Sequence, residues 1–145
     1  MDEKENQIEE FEGMLISTIR SIMSEITQHQ DLGITGSQFH LLNKIEKERV
    51  TNVKHLAEVL KVKPSAITVM LERLVQHGFV SRVQDEKDRR AVAVTLTEEG
   101  VKVLQKAREN SRTVLKQYAD LLDDTEMQVL TSILHKFADY NNKYY

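Results

Sequence analysis

The fold is decided by sixteen residues, DEKDRRAVAVTLTEEG (85–100). This stretch opens with six charged residues in a row and continues through the small and β-branched residues of 91–96. β-Branched residues favour strands, and the preceding residues FVSRV (79–83) alternate between apolar and polar side chains as a half-buried strand does. The two segments therefore predict a β-hairpin whose connecting loop is strongly charged.

A helix is predicted on each side of this hairpin. The earlier helix begins at Pro64, since proline suits the first helical position, runs to His77, and is ended by Gly78 as a C′ glycine. After the hairpin, Thr97 is a suitable N-cap for a helix whose first turn holds two glutamates that the helix dipole stabilises. The apolar positions of this later helix are Leu104, Ala107, Val114, Leu115, Tyr118, Leu121 and Leu122.

Apolar spacing and capping residues predict four more helices. Residues 4–30 form one long helix with a single apolar stripe, and each of the other three follows residues that cap a helix N-terminus. The caps are Thr35 with Gln38, Asn52, and Asp123 with Glu126, and the two helices before Pro64 end near Lys47 and at Leu60. The stripe consists of Ile8, Phe11, Leu15, Ile19, Ile22 and Ile26; the inward-facing residues of the next three helices are Phe39, Leu42, Ile45, Leu56, Ala57, Leu60, Ile67, Met70, Leu71 and Leu74; and the last helix carries the apolar residues Met127, Leu130, Ile133, Leu134 and Phe137.

The resulting order is four helices, two strands and two helices. It predicts a mainly α fold with a small β-hairpin wing, namely a winged helix–turn–helix with further helices on both sides. The first helix and the last two carry more apolar surface than a lone winged helix covers. They either fold back as a bundle within one chain or pair with a second chain.

Composition narrows the classes of function. Charged residues make up 30% and hydrophobic residues 40% of the chain, as in globular proteins. The absence of Cys excludes disulfides, thiolate metal sites and cysteine nucleophiles. The acidic N-terminus does not resemble a signal peptide, and no apolar run approaches the roughly 18 residues of a membrane span. We therefore expect a cytoplasmic protein with no membrane partner.

The net charge of −3 hides an asymmetry. Residues 52–95 contain eight Lys/Arg and five Asp/Glu, a net charge of +3, so the rest of the chain carries −6. A local basic face favours DNA binding. Charge alone would fit an ordinary solvated surface equally well.

The helix that begins at Pro64 has side chains suited to reading DNA. In a helix–turn–helix the N-terminal half of the second helix contacts base edges. Ser65 and Thr68 can hydrogen-bond to bases or phosphates, whereas Ala66 and the Thr methyl can contact a thymine methyl group; Val69 lies beside them, and Arg73 can reach a phosphate. The alternative is a surface helix in an ordinary helical domain.

The loop cations strengthen the DNA-binding interpretation. Lys87, Arg89 and Arg90 lie among three acids, more cations than a plain hairpin turn needs. An Arg at a wing tip can enter a narrow minor groove, and a nearby Asp can hold its guanidinium in place. The alternative is a solvated turn with weak local ion pairs.

The run 85–100 resembles the wing signature of the MarR family of bacterial transcription regulators, which is a charged wing, a strand, then Leu-Thr and a Gly. Leu56-Ala57, residues 62–68 and residues 71–74 resemble the helix–turn–helix of the family. The resemblance covers nearly the whole chain. It implies a homodimer that binds a palindromic operator and in most cases represses transcription. It also implies an N-terminal dimerisation helix (1–34), a winged helix–turn–helix domain (35–97) and C-terminal dimerisation helices (98–145).

By position, the resemblance implies that Arg90 enters the minor groove, oriented by Asp88, while Lys87 and Arg89 contact the DNA backbone. Two residues depart from the family pattern. Lys87 replaces a common Arg and lacks the guanidinium fork. Lys63 replaces the usual Ser or Thr cap before the reading helix and cannot accept an N–H bond. The full predicted DNA-binding set is Lys63, Pro64, Ser65, Ala66, Thr68, Val69, Arg73, Lys87, Asp88, Arg89 and Arg90.

Family members often bind a small aromatic or phenolic effector between the dimer helices and the winged domain. Arg20, Phe39 and His40 are candidates for lining such a site, with Arg20 able to pair with an acidic ligand. The alternative places Phe39 in the core, Arg20 on the surface and His40 against a hydrogen-bonded neighbour.

Other functions have less support in the sequence. A metal-responsive regulator of the same fold is one alternative, but the five histidines show no ligand spacing. A winged helix used only for protein contacts is another. An enzyme is not expected, because the paired acids Asp123 and Asp124 are explained by a helix cap and no nucleophile–base motif or phosphate loop is present. No cofactor, metal site or catalytic residue is predicted.

Overall fold

The structure describes residues 2–28, 32–49, 51–84 and 92–144, and within these ranges six helices and two strands follow one another in the predicted order. The elements of this computed structural model are α1 (Glu3–Gln28), α2 (Gly36–Glu48), α3 (Val53–Leu60), α4 (Pro64–Gln76), β1 (Val80–Gln84), β2 (Val92–Leu96), α5 (Glu98–Ala119) and α6 (Asp124–Tyr144). The fold is mainly α with a two-stranded hairpin, as the sequence predicts.

The predicted side-chain caps set where the helices begin. Each cap bonds to a backbone N–H that the first turn leaves without an intrahelical partner. Two caps accept one such bond each: Asn52 from the N–H of His55 at 2.9 Å, and Thr97 from the N–H of Gly100 at 3.0 Å. The other two caps are reciprocal. The Thr35 side chain accepts from the Gln38 N–H at 3.1 Å and the Gln38 side chain accepts from the Thr35 N–H at 2.9 Å, while Asp123 and Glu126 make the same pair of bonds at 2.8 and 3.1 Å.

The C-terminus of α4 is closed by a Schellman motif. Gly78 has a φ of +77°, its N–H donates to the Val75 carbonyl at 3.0 Å, and the N–H of Phe79 donates to the Leu74 carbonyl at 2.9 Å. Because Phe79 takes part in this cap, β1 begins at Val80, one residue later than the alternation predicts.

The hairpin is antiparallel, with Val80 opposite Leu96 and Gln84 opposite Val92. Thr51, ahead of α3, pairs with the hairpin through a β-bridge to Val94. The N–H of Val94 donates to the Thr51 carbonyl at 2.7 Å, and the N–H of Thr51 donates to the Val94 carbonyl at 3.4 Å. This bridge was not predicted. It ties the start of α3 to the wing sheet.

A single apolar cluster packs the helix–turn–helix against the hairpin and the first half of α5. Leu41 is fully buried although the predicted inward set omits it, and Phe39, Leu60 and Met70, which the set includes, are only half-buried. The cluster consists of Ile34, Leu41, Leu42, Ile45, Leu56, Ala57, Ile67, Leu71, Leu74, Val80, Val94, Val103, Leu104 and Ala107.

The chain divides into two compact units, residues 1–110 and 111–145, with the boundary inside α5. The second unit holds the end of α5 and all of α6. The prediction that Leu121 and Leu122 continue α5 is wrong. Both lie in the turn after it, where their N–H groups donate to the carbonyls of Tyr118 and Ala119 at 3.1 Å.

Candidate nucleic-acid interface

The turn between α3 and α4 is formed by Lys61, Val62 and Lys63. Lys61 takes the left-handed conformation with a φ of +54°, and the N–H of Val62 donates to the Ala57 carbonyl at 3.1 Å. Pro64 then opens α4 at a position where its missing N–H costs no helical bond. This is the helix–turn–helix geometry, in which the second helix is presented to DNA.

The two faces of α4 differ sharply in burial. Ile67, Leu71 and Leu74 are fully buried in the core cluster. The exposed residues include most of those predicted to bind DNA: Lys63, Pro64, Ser65, Ala66, Val69 and Arg73. These six predicted residues are therefore open to solvent, five of them on α4 and Lys63 directly before it.

Thr68 is the exception within α4, since it is half-buried and its hydroxyl donates to the Pro64 carbonyl at 3.0 Å. A hydroxyl that donates within its own helix is not also a donor to a base. Toward DNA, Thr68 keeps only a lone pair and its methyl group.

The N-terminus of α4 has no side-chain cap. Lys63 lies in the extended region, and its side chain makes no cap hydrogen bond. This agrees with the prediction that Lys63 replaces a capping residue. A cationic side chain beside the positive end of a helix suits a bound phosphate.

The wing is described along its strands and not at its tip. The predicted wing residues Lys87, Asp88, Arg89 and Arg90 lie outside the described residues. Arg82, which the predicted set lacks, is exposed on β1 opposite Val94. The sequence offered one signal for including Arg82 in the DNA-binding set, which is its position in the strand that leads into the charged loop.

A close backbone contact joins the end of α4 to the start of α5. The Thr97 N–H donates to the Phe79 carbonyl at 3.1 Å, and the Thr97 hydroxyl donates to the Gly78 carbonyl. Gly100 is buried against the same turn, where an added Cβ would overlap the Phe79 carbonyl oxygen. The reading helix and α5 therefore meet through a contact that only glycine allows.

Arg108 joins α5 to α2 through side-chain hydrogen bonds. Its guanidinium donates to the Asn43 amide oxygen, at 3.0 Å from Nε and 2.6 Å from Nη2, and also to the Glu46 carboxylate. The Asn43 amide in turn donates to the Phe39 carbonyl at 2.9 Å. A guanidinium fork is well suited to holding two acceptors at once.

The three candidate effector-binding residues do not form a connected site. Phe39 packs partly buried against the core cluster, whereas Arg20 on α1 and His40 on α2 are exposed. Within the described part of the chain, no hydrogen bond or ion pair links Arg20 to Phe39 or His40.

In residues 2–28, 32–49, 51–84 and 92–144, no three His, Asp or Glu side chains are grouped so as to hold a metal ion. Over the described residues, the helices are too short or too polar to cross a membrane.

Comparison with known proteins gives consistent matches. The model of the MarR family matches residues 34–92. The HTH-type transcriptional repressor MdtR of Bacillus subtilis is 32% identical over 124 residues, covering 86% of this chain and 79% of that protein.

Solved structures match the fold over most of the chain. A mutant MarR from E. coli complexed with operator DNA is 26% identical with a TM-score of 0.76, covering 91% of this chain and 96% of that one. A MarR family protein from Bacillus stearothermophilus has a TM-score of 0.84 at 23% identity, with 98% and 99% coverage, and shows the likeness of fold alone.

Proposed function

Because the chain belongs to the MarR family of DNA-binding transcriptional regulators, we propose that it is a repressor that binds a palindromic operator as a homodimer and is released by a small ligand. The observation that carries the proposal is the outward face of α4, which is exposed and carries few polar groups, on a helix whose C-terminal turn is hydrogen-bonded to the start of α5. The repressor named MdtR supports the direction of regulation.

The terminal helices support the dimer. In α1, Ile8, Phe11, Leu15 and Ile19 are between 38% and 55% exposed although they form one apolar stripe. In α6, Leu130, Ile133, Leu134 and Phe137 are between 39% and 54% exposed. Large exposed apolar surfaces mark interaction sites. A second copy of the chain would bury both stripes, which assigns residues 1–34 and 98–145 to dimerisation and 35–97 to DNA.

A two-fold dimer presents two copies of α4 to DNA. Half-sites then lie about one helical turn apart, roughly 34–36 Å. In each half, Ser65, Ala66 and Val69 face the major groove and Arg73 reaches the backbone. At the wing, Arg90 enters the minor groove beside Asp88, with Lys87 and Arg89 on phosphates, by the family resemblance.

A bound ligand would release the protein from DNA by changing the distance between the two copies of α4 in the dimer. Arg20, Phe39 and His40 remain the candidate contacts for a small aromatic or phenolic effector, and Arg20 could pair with an acidic one. Because Arg20 lies on α1 and the other two lie on α2, one ligand that binds all three would contact both a dimerisation helix and the winged domain. Such coupling between two sites is allostery.

The experiment combines mass and spacing. Sedimentation equilibrium should give two chains per particle, and fluorescence anisotropy should show binding to a selected operator that weakens steeply with salt. Inserting about half a turn of DNA between the half-sites, roughly five base pairs, should reduce binding to that of a random duplex. A monomer, or binding that ignores the insertion, would overturn the dimer on a palindrome; binding that is absent or independent of salt would instead indicate a protein-contact module.

A further inference from the structure

The first two turns of α4 offer DNA very few polar groups. Their exposed side chains are Pro64, Ser65, Ala66 and Val69, and Val69 is 49% exposed. Ile67 is buried in the core, and the Thr68 hydroxyl already donates to the Pro64 carbonyl. Of the exposed set, only Ser65 can hydrogen-bond through its side chain.

Major-groove readout needs matching chemistry on the bases. Guanine is read by Arg or Lys and adenine by Asn or Gln, each bonding twice, and cytosine by an acidic acceptor. The first two turns of α4 contain none of these residues. The apolar group that a base offers in the major groove is the thymine C5-methyl.

The charged residues of α4 and its glutamine come later in the helix. Glu72, Arg73 and Gln76 are exposed in its second half. Because the N-terminal part of a reading helix is the part that contacts base edges, Arg73 and Gln76 are better placed for phosphates than for bases at the centre of a half-site. The Glu72 carboxylate would be repelled by the DNA backbone.

We infer that Ala66 and Val69 read the operator by contact with thymine methyl groups. This inference rests on the proposed operator binding by α4 and specifies its chemistry. It predicts that each half-site contains at least one thymine whose methyl group, rather than its hydrogen-bonding edge, carries sequence preference.

The test replaces thymine with deoxyuridine, which removes the methyl group and leaves base pairing intact. Each thymine of a selected operator is substituted in turn, and binding of the native protein is followed by fluorescence anisotropy at fixed salt. Loss of one buried methyl corresponds to about 0.8 kcal/mol, or about a fourfold weaker Kd. Substitution in both half-sites should weaken binding about fifteenfold, if the two contacts are independent.

Three variants assign the contact to Val69. At the thymine that Val69 contacts, Val69→Ala should bind the thymine and deoxyuridine operators with nearly equal Kd, since most of the apolar partner of that methyl group is gone; any thymine that Ala66 contacts should keep its effect. Val69→Thr keeps the branched shape and should retain most of the difference. Val75→Ala is the matched control, because Val75 is also exposed on α4, at 38%, but lies in its last turn. It should retain the full preference for thymine.

The outcomes separate this inference from the proposal beneath it. If the protein does not bind the operator that contains thymine, the proposed operator binding by α4 is itself wrong. If that operator is bound and no deoxyuridine position weakens binding, the methyl readout is wrong while the operator proposal stands. If Val69→Ala keeps the full difference at every position, the contact assigned to Val69 is wrong.

Discussion

Gly100→Ala should destabilise the protein, because backbone atoms of Phe79 occupy the space that a Cβ would need. A Cβ at this position would overlap the carbonyl oxygen of Phe79 and lie 2.9 Å from its carbonyl carbon and 3.3 Å from its Cα. These are backbone atoms, so no side-chain rotation relieves the overlap. The start of α5 must move away from the turn that ends α4.

The magnitude follows from three contributions to the free energy of unfolding. Overpacking costs about 1–3 kcal/mol. The movement also breaks the two hydrogen bonds from Thr97 to Phe79 and Gly78, each worth about 1 kcal/mol. Alanine returns up to about 1 kcal/mol of helix propensity. The net loss is therefore about 2–4 kcal/mol.

Urea unfolding followed by circular dichroism measures this loss, at one fixed protein concentration because association adds to stability. Gly36→Ala is the matched control. Its Cβ would meet only the flexible Met23 methyl at 3.8 Å, so its free energy of unfolding should stay within about 0.5 kcal/mol of the parent. A Gly100→Ala protein as stable as the parent would show that α5 and the α4 turn are not in close contact.

Three further substitutions test other contacts. Arg108→Lys keeps the charge but loses the fork to Asn43 and Glu46, and should lower the free energy of unfolding by about 1 kcal/mol, a modest figure because these side chains are partly exposed; an unchanged urea midpoint would contradict it. Arg90→Ala should weaken operator binding at least about tenfold by anisotropy, the scale of one lost charged contact, with the dimer mass unchanged by sedimentation. Equal affinity would refute the wing assignment. Thr68→Ala should change the ranking of bound sites in a selection experiment, and an identical ranking would remove Thr68 from the reading set.

Local chemistry accounts for what the sequence predicts well. The caps at Thr35, Asn52 and Asp123 involve residues three positions apart, so the chain itself carries the signal. The C′ role of Gly78 is equally local, because its positive φ closes the helix that it follows. The order of elements and the exposed face of α4 follow from such signals together with apolar spacing.

Contacts between distant residues were not predictable in this way. Thr51 pairs with Val94, and Arg108 bonds to Asn43 sixty-five positions away. Gly100 could be read only as part of a motif, because the carbonyl that excludes a Cβ belongs to Phe79. Packing in three dimensions decides these contacts, and the pattern of one chain segment does not contain it.

The most direct measurement is selection of bound duplexes from a random DNA pool with the native protein. We expect a palindrome whose half-sites are centred about one turn apart, roughly 10 base pairs, with thymines at the positions that face α4. Enrichment of an asymmetric site, or no enrichment over the starting pool, would contradict a two-headed repressor that reads DNA through α4.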